Sequence, residues 1–160
     1  MRDARVVLAA AVAVTTAACA HKAQVTSDEG QSFDCRARTI AYVAAHTMGA
    51  AEIGVEMSCA NGPSLKHWRV DEKTSKRDEQ SRPMTPAEFD KVWAQVAGTG
   101  WENLKDCTNG DGGKSAPLYQ FDVKDDQNTA SFSCQSLRLP YPYNDLADPL
   151  DAAVQGGGNE

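Results

Sequence analysis

Four cysteines, Cys35, Cys59, Cys107 and Cys134, limit what this chain can fold into more than any other feature. Two bridges among them would staple a small domain at four points, with three possible pairings. None of the four forms a Cys-x-x-Cys pair, so zinc is not indicated. Bridges form where the surroundings are oxidising, so the compartment decides whether the staples exist.

The start of the chain speaks to the compartment. Arg2 and Arg5 precede an apolar run from Val6 to Val14, and Thr15-Thr16-Ala17-Ala18-Cys19-Ala20 follows. A run this short does not span a bilayer as a helix, which takes about 20 apolar residues. A basic start, an apolar centre and small residues have the layout of a secretory signal peptide. Thr16-Ala17-Ala18-Cys19 resembles the lipobox of bacterial lipoprotein precursors, with Thr16 where that family favours Leu. The resemblance implies cleavage before Cys19 and a lipid on its thiol. Because Ala20 and not aspartate follows, it implies the outer membrane of a bacterial envelope as the destination. Ordinary cleavage after Ala18 or Ala20 is the alternative and would give a soluble secreted or periplasmic protein. Removing or lipidating Cys19 leaves four cysteines, an even number in an exported domain.

The layout is then a signal peptide over 1–18, a lipid attachment point and polar tether over 19–32, a single domain over 33–154 and a glycine-rich tail over 155–160. Without the signal the chain keeps about 140 residues, the size of one domain. The whole chain has a formal charge of −6; losing Arg2, Arg5 and Asp3 leaves 14 − 21 = −7. An acidic domain does not suit nucleic acid, whose phosphates need a basic patch.

Ala51 to Cys59 alternates strictly, with Ile53, Val55 and Met57 on one face and Glu52, Glu56 and Ser58 on the other. That is the period of a half-buried strand. Arg38 to Ala44 reads as the strand before it, with helix as the alternative, and His46 to Ala50 as the turn. A hairpin centred at Thr47 sets Cys35 opposite Cys59, which favours that pairing. Cys107–Cys134 follows by elimination. Leu65 to Val70 reads as a third strand, with Trp68 and Val70 on one face and His67 and Arg69 on the other. The charged run Asp71–Arg82 has no large apolar residue and reads as a solvated loop.

The clearest helix begins at Thr85-Pro86-Ala87-Glu88, a capping box with proline at the first helical position. Phe89, Val92, Trp93 and Val96 make its apolar stripe, and Gly98 and Gly100 its stop. Leu118–Lys124 and Thr129–Cys134 read as two strands around an Asp125–Asn128 turn. A last short helix carries Leu146, Leu150 and Val154, capped by Asn144 or by Asp148 ahead of Pro149. The expected order is β-β-β-α-β-β-α: an α+β domain whose antiparallel sheet has helices on one face. The unit from Thr85 to Cys134, a capped helix ending in a Trp turn before a hairpin, resembles small bacterial metalloprotease-inhibitor domains. The likeness lies in element order and implies no particular inhibitory residue.

Chemical motifs are scarce. There is no Gly-x-Ser-x-Gly elbow and no His-Glu-x-x-His helix. The glycine-rich stretch Asn109–Gly113 fits neither an EF-hand loop nor a phosphate loop and reads as a turn. His46 and His67 would bind metal only if the fold brought them together with Glu52. No metal or cofactor is expected. Leu137 to Tyr143 is too proline-rich for a central strand; with Trp68, its Tyr141 and Tyr143 are the candidate binding surface. The sequence therefore reads as a non-catalytic, lipid-anchored envelope protein that binds another protein. The alternative is a small enzyme or ligand binder using scattered acidic, histidine and aromatic side chains.

Overall fold

The computed structural model describes residues 35, 37–47, 49–108 and 115–156. Cys19, the signal segment, the tether, the Asn109–Gly113 turn and the last four residues lie outside the described residues. The fold is α+β. Strands β1 (Thr39–Thr47), β2 (Ala50–Ser58), β3 (Ser64–Val70) and β4 (Arg77–Pro83) lead into helix α1 (Pro86–Gly98) and a short 3-10 turn (Trp101–Asn103). Strands β5 (Cys107–Thr108), β6 (Leu118–Lys124) and β7 (Thr129–Gln135) and helix α2 (Asn144–Gly156) complete it. All seven strands join one sheet in the order β4-β3-β2-β1-β6-β7-β5, antiparallel except where β5 runs parallel to β7.

Cross-strand partners share a face, so the register sorts the side chains. Ile40 faces Met57 and Val123, and Tyr42 faces Val55 and Phe121; these residues are buried and form one core with Phe89, Val96, Leu146 and Leu150 of the helices. Both helices therefore lie on one face of the sheet. Thr85 caps α1, its hydroxyl oxygen accepting the Glu88 N–H at 3.2 Å, and Phe89, Val92, Trp93 and Val96 are its buried residues. Gly100, at φ 67°, takes the left-handed conformation after the helix, and Trp101 folds back into the core at 1 % exposure.

Three features differ from the expectations. Arg77–Pro83 is a strand and not part of a solvated loop. It pairs with β3 at the sheet edge, where both of its faces meet water over most of its length, so no apolar period marks it. The first hairpin closes at the facing pair Thr47 and Ala50, so its centre lies later than Thr47. That register, continued, would set Cys35 against Gly62; a turn in which the Arg38 N–H donates to the Cys35 carbonyl at 2.9 Å brings it back to Cys59. Finally, α2 begins at Asn144 and runs through Pro149 to Gly156, taking in two residues assigned to the tail. Leu146, Ala147 and Leu150 all lie on its buried stripe.

Both disulfides pair as expected. Cys35 and Cys59 have Cα atoms 5.5 Å apart, and Cys107 and Cys134 have theirs 4.4 Å apart. Cys107 and Cys134 are facing residues of the parallel β5–β7 pair, so the second bridge fastens the end strand of the sheet to its neighbour.

Candidate functional site

Two large apolar side chains are exposed among the described residues, Leu137 at 54 % and Tyr141 at 77 %. Both lie in the link from β7 to α2, the proline-rich segment singled out by the sequence. Its two ends are held. At the first end, Ser136 is fully buried and its N–H donates to the Pro117 carbonyl at 3.2 Å. The Ser136 hydroxyl accepts the Arg138 N–H at 3.2 Å and donates to the Arg138 carbonyl, which folds the chain into a tight local bend. Cys134, two residues earlier, is bridged to Cys107. At the far end the Tyr143 ring packs on Phe121 and Phe132, and its hydroxyl donates to the Lys105 carbonyl at 2.5 Å. The Tyr141-Pro142 peptide between them is cis. An aromatic ring on a segment held at both ends loses little freedom when a partner covers it.

The three residues read as a binding surface are not presented together. Tyr143 is 9 % exposed and belongs to the core. Trp68 lies on the face of the sheet opposite the helices yet is 8 % exposed. Its indole lies over Gly54 on β2, and the guanidinium of Arg77 sits 4.5 Å above its ring. Its Nε1 donates to Glu52 at 2.6 Å, and Lys66, paired with Glu56 at 2.6 Å, stands 5.6 Å from the ring. Trp68 is therefore roofed by charged side chains, an arrangement that suits packing. Tyr141 alone of the three is open. Leu137 joins it, and the sequence reading passed over it: a buried serine beside an exposed leucine inverts the usual order, and no periodicity reveals that.

His46 lies in β1 between Ala45 and Thr47, past the end of the β1–β6 pairing and at φ 61°, whereas His67 sits inside β3 facing Val55 and Gln80. Strand β2 separates them, and Glu52 is engaged by Trp68 and Arg77. Among the described residues no group of three or more His, Cys, Asp or Glu side chains is placed to hold a metal.

Asp151 on α2 is an acid whose surroundings disfavour its charged form. Burial pushes its carboxyl above the usual range, the neighbouring Asp148 adds to this, and the hydroxyl of Tyr42 donates to it and pulls it back. Burial in turn raises the Tyr42 hydroxyl, with the Asp151 carboxylate adding to the effect. No histidine, lysine or thiol accompanies the pair in these contacts, so it has the makings of a fastening between sheet and helix. An open groove of about 480 Å³ runs between α1 and α2, lined by Ala94, Gln95, Gly98, Asp145, Asp148 and Pro149. Its polar groups offer no nucleophile with an adjacent base. Among the described residues no helix is long and apolar enough to cross a membrane.

Compared with protein-family models and with curated proteins, the chain finds no match.

Proposed function

We propose that this chain is an exported envelope protein, anchored by a lipid on Cys19, that acts by binding another protein and not by catalysis. The observation that carries the reading is the Leu137–Tyr141 segment: two exposed apolar side chains on a link held by Ser136 at one end and Tyr143 at the other. The Thr16-Ala17-Ala18-Cys19 pattern supports the anchor, and the absence of a catalytic motif in the sequence supports a binding role.

A photo-crosslinking residue at position 141, in cells that make the protein, tests the binding step. The expected result is one discrete protein adduct that disappears when Leu137→Ser is added. A yield no higher than that from the exposed turn position Gln127 would refute the role of the segment. The anchor is tested separately by intact mass of the native protein. A triacylated chain beginning at Cys19 is expected; an unmodified chain beginning at Cys19 or His21 would remove the anchor and leave the binding segment to stand on its own.

A further inference from the structure

The sheet face turned away from the helices is uneven in chemistry. Over β2, β3 and β4 its charges satisfy one another, through Lys66 with Glu56 and Arg77 with Glu52 and Glu79. Over β1, β6 and β7 they do not. There a shallow cavity of about 310 Å³ is lined by Val43, Asp106, Gln120, Asp122, Ser131 and Ser133. Gln120 faces Ser133 and Asp122 faces Ser131, so four polar side chains stand as two adjacent cross-strand pairs. Asp106 is brought in from the loop before β5, its Oδ1 accepting the Ser133 N–H at 2.7 Å and the Ser133 hydroxyl at 3.0 Å. Asp122 Oδ1 accepts the Ser131 hydroxyl at 2.5 Å. Among the described residues no hydrogen bond engages the second oxygen of either carboxylate or the Gln120 amide, and no cation pairs with either aspartate.

From this placement we infer that the cavity is a subsite for a single sugar unit. Each free carboxylate oxygen accepts hydroxyl donors, the Gln120 amide both donates and accepts, and the serine oxygens retain acceptor capacity. Their one-oxygen anchoring to serine fixes the two carboxylates before a ligand arrives, so little ordering remains to be done on binding. Val43 supplies a small apolar contact for a C–H face. The cavity is open and at the lower end of the size range for small-molecule sites, so it does not suit a large apolar ligand. The inference is independent of the partner proposed for Leu137 and Tyr141, since neither residue lines this cavity.

Isotope-labelled protein, purified with both disulfides intact, would be titrated with glucose, with N-acetylglucosamine and with ethanolamine while amide shifts are followed. At least one sugar is expected to give saturable shifts at residues 120, 122, 131 and 133. Asp122→Ala and Gln120→Ala, both at exposed positions, are each expected to weaken that sugar about tenfold, the effect of losing one or two good hydrogen bonds. Retained far-ultraviolet dichroism would show that the variants are folded. No saturable shift at these residues, shifts reproduced by ethanolamine alone, or unchanged sugar affinity in both folded variants would each overturn the inference.

Discussion

The hydroxyl of Tyr42, in the central strand of the sheet, donates to the carboxylate of Asp151 on the last helix. The contact joins residues 109 positions apart and lies at the seam between β1 and α2. Tyr42→Phe would leave the half-buried carboxylate without this donor. The expected loss is about 1–3 kcal/mol of unfolding free energy, read from urea denaturation.

The same pair sets a pH dependence with a definite sign. The folded-state pKa of Asp151 is raised, chiefly by burial, so between its unfolded and folded values the folded chain holds more protons than the unfolded one. The stabilisation is full below the unfolded carboxylate value and is lost as pH rises through the folded one. Asp151→Asn should remove that slope. The check is the difference in stability between wild type and variant across the acid range: wild type should lose ground to the variant as pH rises.

Glu88 should behave in the opposite way. Its carboxyl is held below the usual range, first by the hydrogen bonds from Arg82. Here the stabilisation is present above the unfolded value and fades as pH falls through the folded one. Glu88→Gln should therefore flatten the acid side of the melting-temperature curve. Arg82 also donates to the Ala153 carbonyl at 2.8 Å, so Arg82→Ala should lower stability at neutral pH as well.

Gly54 is required by what lies over it. A Cβ there would come within 2.1 Å of Trp68 Cζ2. Gly54→Ala should destabilise by about 1–3 kcal/mol through overpacking. Thermal unfolding would measure it, and Gly54→Ala should cost less in a Trp68→Leu background than in the wild type. An equal cost in both backgrounds would mean that the contact is not the cause.

Each disulfide closes a loop of similar span, with separations of 24 and 27 residues. In the chain-entropy model, replacing either pair by alanines should cost about 3–4 kcal/mol. By contrast, Tyr141→Ala and Leu137→Ser should change stability by no more than about 0.5 kcal/mol, because both side chains are exposed.

Where one side of an element meets the core, the sequence announced it. The alternation from Ala51 to Cys59, the Phe89-Val92-Trp93-Val96 stripe and the Thr85 cap each reflect a local rule that the fold obeys. Strand β4 escaped because Arg77 to Pro83 is an edge with little apolar content to alternate. The burial of Tyr143 and Trp68 was hidden for a different reason. Burial of an aromatic residue depends on partners far along the chain: Phe121 and Phe132 for Tyr143, Gly54 and Arg77 for Trp68. The sheet-face cavity was invisible for the same cause, since Asp106 and Ser133 meet only through the register of β7 and the path into β5.

The Cys35–Cys59 bridge sits just ahead of β1, which lies in the middle of the sheet and has hydrogen-bonded neighbours on both sides. Tension entering the chain ahead of Cys35 meets a covalent bond before it meets β1. The pull passes through sulfur to Cys59, at the far end of β2, and the whole β1–β2 hairpin lies inside the closed loop. Peeling β1 from β2 at that end is opposed while the bridge holds, because Cys35 stays joined to Cys59. The bridge thus gives the domain a mechanical stop at the point where a tether would load it.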